Sequence, residues 1–476
     1  MKKGIIAFLV CLMLFTVIGC TPGDNGGGGD KNITVDEDIT LLTLDEVVDM
    51  IGNESTDVGN YGVDTIKKYI SPLWKSQIIY NESAFFVADK QGNAAPLGLS
   101  YKAARILSVR KSTALSGAAY AEGADYTLDA SGRLALPSDS SIPVMPFSAY
   151  FPTYANDNDT NNWYYKHADG SKTGIINSSA PIRPYELAVT YIRTDAFGGE
   201  KPKSQLAALT GLIGKDTGTL NILFVGDSVI AGAGPSNTNA PNVPPYPDMV
   251  AQGWAAYTER TAKPVTGVHQ IQSGAVNYLN GGVPGITAMQ YKYVLDDNVS
   301  HMLYASDYTK GEAAAKVQGV LAMLDVADVV IIGLGANDGG GWDNGVGSPA
   351  GTFKLNMGIV IDKIRAANPS AAVVLVAPHK THDNVYTDAA LTVPLFGVNA
   401  AQYETALSEL VADYTNIAVV KSYGVQLETL KSKPISNLIA DGRNHPNDFL
   451  SRIFAQTVLT TVLKPNALEV YPVRNA

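Results

Sequence analysis

The hydrophobic positions of this chain fall into two textures that meet near Leu206. Beyond it, compact apolar runs recur at Asn221 to Val225, Val329 to Leu334, Ala372 to Ala377 and Ile417 to Val420. Each is strand-length and apolar on successive residues, as a strand buried on both faces must be. Between them the spacing is helical: Leu355, Ile359, Val360 and Ile364 share one face, as do Tyr403, Leu407, Leu410 and Val411. A last helical stretch runs from about Phe449 to Leu463, ahead of Pro465. Buried strands alternating with amphipathic helices predict an α/β domain whose parallel sheet is covered on both faces. In such sheets ligands bind at the carboxyl ends of the strands.

Before Leu206 the runs are shorter and the turns denser. Ser83 to Val87, Ala104 to Val109 and Tyr185 to Ile192 are separated by pieces such as Asp129-Ala130-Ser131-Gly132 and Asp169-Gly170-Ser171. From Trp74 to about Ile192 this reads as an all-β sandwich. Leu44, Val47, Val48 and Ile51 predict a short helix capped near Thr43. No internal repeat is visible.

The first segment reads as an address. Lys2 and Lys3 precede an apolar run from Ile5 through Ile18, too short for a membrane span and suited to a secretory leader. It ends in Val17-Ile18-Gly19-Cys20, which resembles a bacterial lipobox. A lipid on Cys20 would hold the protein at the cell envelope, outside the cytoplasm. Thr21 to Asn32, with glycines 26–29, is a flexible tether. The expected organisation is a signal peptide over 1–20, a linker over 21–42, a β-rich domain over 43–205 and the α/β domain over 206–476.

Composition narrows the chemistry. A formal net charge of -10 with no basic block excludes an electrostatic footprint for nucleic acid. The two cysteines, Cys11 and Cys20, both lie in the leader, so the folded body has no disulfide, thiolate metal site or cysteine nucleophile. Its function rests on oxygen and nitrogen groups.

Those groups cluster where strand-end loops belong. The first run leads straight into Gly226-Asp227-Ser228, where a serine can be exposed on a tight turn opening a helix. A serine hydroxyl needs a base to become a useful nucleophile. Asn280-Gly281-Gly282-Val283-Pro284-Gly285 follows the stretch Gly274 to Leu279. Gly335-Ala336-Asn337-Asp338 follows Val329 to Leu334, and Asp441-Gly442-Arg443-Asn444-His445-Pro446 precedes the last helix.

In order and spacing these segments resemble the four blocks of SGNH (GDSL-like) hydrolases, over roughly Asn221 to Leu463. The resemblance implies a flavodoxin-like three-layer α/β/α fold, Ser228 as nucleophile and His445 as base. It also implies an oxyanion hole from the Ser228 and Gly285 backbone amides and the Asn337 side chain. No cofactor is implied. The last block of the family carries an aspartate three residues before the histidine, and here that position is Gly442. Asp441, four before, is the expected third member; Asp448, or a backbone carbonyl in its place, stays open. Asp448 also opens the last helix, where a carboxylate favours the N-terminus.

Other candidates carry less. Asp227 and Asp338 are expected to fix their loops by hydrogen bonding. His379 and His382 follow a strand where they could line the cleft, and they stand three apart beside Asp383 as metal ligands would, but no third ligand is evident and a solvated loop is the plainer expectation. His167, His269 and His301 lack motif context, and Trp342 reads equally as a stacking platform or as packing. Trp74 to Pro143 resembles a jelly-roll-like module found ahead of SGNH domains in bacterial carbohydrate esterases. The two resemblances together imply an esterase acting on acylated carbohydrate, most simply an O-acetyl group. A lipase or thioesterase on the same fold, and a non-catalytic glycan-binding lipoprotein, are the competing expectations. Oligomeric state is not readable.

Overall fold

The computed structural model describes residues 40–52, 58–153, 164–166, 171–174, 176, 178–300, 308–340, 347–381 and 399–473. The leader, Cys20, the glycine-rich tether, His167, His301, Trp342, His382 and Asp383 lie outside these residues.

Six parallel strands form the central sheet, in the spatial order Ala262–Pro264, Val276–Gly282, Leu220–Gly226, Val329–Gly333, Ala372–Val376 and Ile417–Val420. Of the predicted apolar runs, three are interior strands and Ile417–Val420 closes one edge. Successive residues alternate between two cores. Ile222, Phe224, Val329, Ile331 and Val374 face one side, while Leu223, Val225, Val330, Ile332 and Leu375 face the other. Helices Ala288–Val294, Lys310–Leu324, Ala350–Ala367 and Ala400–Leu410 cover the second side, and Tyr246–Tyr257 and Asp448–Val462 cover the first. This is the three-layer, flavodoxin-like α/β/α arrangement. The order of strands turns back beside Leu220–Gly226, which places a crevice at the carboxyl end of that strand.

Helix Ala350–Ala367 corrects one reading. Phe353, Met357, Val360 and Ile364 are buried, but Leu355 is 66% exposed. Its inclusion came from spacing alone, and it lies off the buried stripe.

The region ahead of residue 206 contains the expected antiparallel strands. Ile78–Ala84 and Ala103–Lys111 flank Leu187–Arg193, whose residues are all buried. Thr127–Leu128 pairs antiparallel with Leu134–Ala135, while Phe86–Val87 pairs in parallel with Val144–Met145. The predicted helix near Thr43 is Leu44–Ile51, closed by a reciprocal bond pair between Thr43 and Glu46.

Residues on both sides of 206 share one core: Trp74, Ile78 and Tyr191 belong to the same buried cluster as Trp254, Phe454 and Leu459. Buried charge joins them too. Arg452 donates to the Tyr69 and Tyr80 carbonyls at 3.0 and 2.6 Å. Lys433, fully buried, pairs with Glu82 at 2.8 Å, and Glu82 also accepts from the Tyr191 hydroxyl and the Ser100 amide at 2.8 Å each. A buried ion pair persists only when its remaining valences are filled in this way.

Candidate active site

Three neighbouring strands end together. Gly226 lies opposite Gly282 on one side and Gly333 on the other, so the loops that follow them open onto one crevice. Gly226 is required there: a Cβ would lie 2.2 Å from Ile230 Cγ1 and 2.3 Å from the Gly333 carbonyl. The chain then turns at Asp227, whose carboxylate accepts from the Val229 amide at 2.9 Å and caps the short helix Ser228–Ala231. Ser228 begins that helix and is 6% exposed.

The second and third loops are stitched to each other. Asn337 donates one amide hydrogen to the Ile286 carbonyl at 2.9 Å. The Asp338 carboxylate accepts from the Ala288 amide at 3.0 Å, at the start of helix Ala288–Val294. Gly285 sits between these ties with φ +79°, a conformation that suits glycine. Burial pushes the Asp338 carboxyl up to about 7, against the pull of the Ala288 amide. Burial likewise pushes Asp227 up to about 6, opposed by the Val229 amide, the nearby His445 and the Ala336 amide. Both acids are thus bonded into the loops that hold Ser228, Gly285 and Asn337.

The fourth loop brings an imidazole to the serine. His445 Nε2 lies 3.0 Å from Ser228 Oγ, and His445 Nδ1 lies 2.6 Å from Asp441 Oδ2. The other Asp441 oxygen accepts from the amides of Arg443, Asn444 and His445 at 2.9, 3.0 and 3.2 Å. Burial alone would raise this carboxyl, but His445 and the loop amides outweigh it and hold Asp441 at about 2. It is therefore ionised and accepts the Nδ1 proton, leaving Nε2 to accept from the serine hydroxyl. Gly442 supplies the extra residue of the loop in the left-handed region, with φ +70°.

Asp448 is engaged elsewhere. Its carboxylate accepts from the Ser236 amide at 2.6 Å, and the cap of the last helix is Asn447, which accepts from the Phe449 and Leu450 amides.

His379 does not lie in a solvated loop. It is 1% exposed, and its Nε2 lies 2.6 Å from the Asn444 carbonyl. Among the described residues no group of three or more His, Cys, Asp or Glu side chains is placed to hold a metal ion, and no helix is long and apolar enough to cross a membrane. Sequence reasoning also passed over Asn437, which is 1% exposed. It accepts from the Phe85 amide at 2.5 Å, donates to the Phe85 carbonyl at 3.1 Å, and accepts from Asn447 at its own carbonyl at 2.8 Å. Nothing near Asn437 in the chain signals this. For His379 the signal was its position, just past the strand Ala372–Val376 at the crevice end of the sheet.

Residues 224–452 match the model of the GDSL-like Lipase/Acylhydrolase family. Comparison with curated proteins gives no match. Among solved structures, an acetyl xylan esterase aligns over 51% of this chain and 99% of its own, at 18% identity and a TM-score of 0.32. A family 3 carbohydrate esterase from Talaromyces cellulolyticus aligns over 50% and 94%, at 14% identity and a TM-score of 0.30. A family two carbohydrate esterase from Clostridium thermocellum aligns over 60% and 73%, at 13% identity and a TM-score of 0.31.

Proposed function

We propose, from the premise that residues 224–452 are a GDSL-like hydrolase domain and the chain an ester hydrolase, that it is a serine esterase removing acyl groups from carbohydrate. The observation that carries the mechanism is the hydrogen-bonded line from Ser228 through His445 to Asp441, at 3.0 and 2.6 Å.

In this reading His445 Nε2 takes the Ser228 proton as Oγ attacks the ester carbonyl. It then returns that proton to the departing alcohol, leaving the acyl group on Ser228. Water, deprotonated by the same nitrogen, attacks the acyl-serine and frees the carboxylic acid. Asp441 holds the imidazole in the tautomer that accepts at Nε2 and stabilises its charge once protonated. The oxyanion of each tetrahedral intermediate is met by the Ser228 and Gly285 amides and by the second amide hydrogen of Asn337. Donors fixed in advance are the largest single contribution to such reactions.

The substrate class rests on the sequence: a secretory leader with a lipobox-like Cys20, and a β-rich region resembling those of carbohydrate esterases. An O-acetyl group on a polysaccharide outside the cell is the simplest ester of this kind, with the enzyme tethered to the envelope by lipid on Cys20.

The test is hydrolysis of 4-nitrophenyl acetate against longer-chain esters by a soluble form lacking residues 1–20 and by its Ser228→Ala variant, followed by acetylated polysaccharides. Activity on acetate that falls with chain length and disappears in the variant is expected. Preference for long chains would move the substrate to a lipid or thioester. Unchanged activity in the variant would remove Ser228 from the mechanism.

A further inference from the structure

The turn over residues 441–446 carries both the base and its carboxylate, yet it belongs to no helix or sheet; its one ladder contact is the isolated bridge between Ile439 and Pro446. Its inner side is tied by the Asp441 carboxylate to three successive amides. Its Asn444 carbonyl points away from those ties, toward the parallel sheet, and meets His379 Nε2 at 2.6 Å.

A carbonyl can only accept, so Nε2 carries the proton. The ring is packed edge-on against Phe454 of the last helix, with centroids 5.6 Å apart. Asp227, Val229 and Tyr246 border the same small space beside it. The ring therefore bridges the crevice end of the strand Ala372–Val376, the last helix and the histidine turn.

We propose that His379 is a positioning residue for ester hydrolysis: a neutral imidazole that donates to the Asn444 carbonyl and so fixes the turn holding Asp441 and His445 against Ser228. This inference rests on the reading of His445 as the base.

A neutral donor suits the position for a second reason. His445 becomes an imidazolium when it takes the serine proton, and a second cation beside it would oppose that step. The groups facing His379 are His445, Asp441 and Asp227. Burial, together with the nearby His445, pushes His379 down to about 4 despite the Asn444 bond and the Asp441 charge, so it stays uncharged while the base turns over.

Two substitutions separate positioning from bulk packing. His379→Leu fills the space without a donor. His379→Gln places an amide N–H at the distance of the imidazole Nε2, and is the conservative rescue. Both would be compared with the unmutated protein for kcat and KM on 4-nitrophenyl acetate. The low-field proton NMR signal of the His445 Nδ1–H···Asp441 bond would be recorded in parallel.

A folded His379→Leu variant should lose on the order of 10- to 100-fold in kcat with KM nearly unchanged, since a small misplacement of a catalytic group costs about that much. Its low-field signal should broaden or vanish. His379→Gln should recover kcat to within about threefold and restore the signal. A His379→Leu variant with unchanged kcat and an intact signal would overturn the proposal. So would a folded His379→Gln variant as impaired as His379→Leu. If His379→Leu does not fold, His379→Gln decides alone by the same criteria. If the unmutated protein hydrolyses no ester, the esterase reading fails, and the NMR signal still tests whether His379 holds the turn.

Discussion

Ser228 and His445 meet at 3.0 Å, but the two halves of the site are built by different means. The serine half is mostly backbone. Three paired strands end in register at Gly226, Gly282 and Gly333, and Gly226 itself has no room for a side chain. The loops of Gly285 and Asn337 hang from the same sheet and are tied across by Asn337 and Asp338.

The histidine half is side-chain work. Its turn is held by the Asp441 carboxylate, by His379, and by Asn437, which clamps it to Phe85 in the β-rich part. Lys433, just upstream, is anchored to Glu82 of that same part. A half made from backbone register depends on its immediate neighbours. A half made from side chains depends on residues hundreds of positions away. The β-rich part therefore buttresses the segment that carries His445, whatever it binds.

The comparison can be broken at several points. Asp441→Asn removes the ionised acceptor and favours the wrong imidazole tautomer, so kcat should fall by on the order of 10³–10⁴ with the fold retained. Steady-state kinetics with circular dichroism checks this, and a loss under tenfold would mean that the turn orients His445 without its carboxylate.

Lys433→Met lies far from any substrate yet leaves Glu82 as a buried unpaired charge. It should cost about 3–5 kcal/mol in denaturant unfolding, and most of that should return in the Glu82→Gln, Lys433→Met double variant. Esterase activity should weaken well below the melting temperature, because the turn loses its footing. For contrast, the exposed pair Lys354–Glu409 at 2.9 Å should be worth no more than about 1 kcal/mol.

On the serine side, Asn337→Ala should lower kcat by about 10²–10³ through loss of one oxyanion donor. Its stability cost should be small beside that of Lys433→Met. A comparable unfolding penalty would show that the serine half also leans on side chains.

A further effect is in pH. His379 is held near 4 in the folded protein, against the ordinary imidazole value of 6.5 when unfolded. Between those values the unfolded chain takes up a proton that the folded one refuses, so this residue withdraws stability as pH falls from about 6.5 to about 4. The withdrawal amounts to at most about 3 kcal/mol. Asp227 and Asp338 act in the opposite sense, since burial raises them and acid relieves that cost. The contribution of His379 is therefore read as a difference. Relative to the unmutated protein, His379→Gln should gain stability between pH 7 and pH 4.5 in parallel urea titrations. An unchanged difference would mean that His379 is charged in the fold.

The same contrast explains what could be read in the chain before its structure. Strands such as Val329–Gly333 and Ala372–Val376 announce themselves because burial on both faces demands consecutive apolar residues. The glycine-rich blocks stand out because tight strand ends leave a local trace. Asp441 was only half legible: the extra residue, Gly442, adopts a left-handed conformation that returns the carboxylate to the ring, and spacing alone cannot reveal it. His379 showed its place past a strand end but not its role, and Lys433 showed neither, since their partners lie 65 and 351 residues away. Leu355 failed in the other direction, because helical spacing reports a stripe without saying where its edge falls.

The ties between the early and late parts of the chain have a consequence for how the molecule comes to exist. Gln77 donates its amide to the Tyr471 carbonyl at 2.7 Å, Lys433 waits for Glu82, and Asn437 waits for Phe85. Contacts this distant in sequence close large loops and form slowly. The sheet and the Ser228 turn draw on the stretch between residues 220 and 420, whereas the segment carrying His445 also leans on contacts between residues 77–85 and 433–471. On the proposed reading of Ser228 and His445, contact order makes hydrolytic competence a late acquisition, and a nascent chain missing its late segments would carry the serine without its histidine.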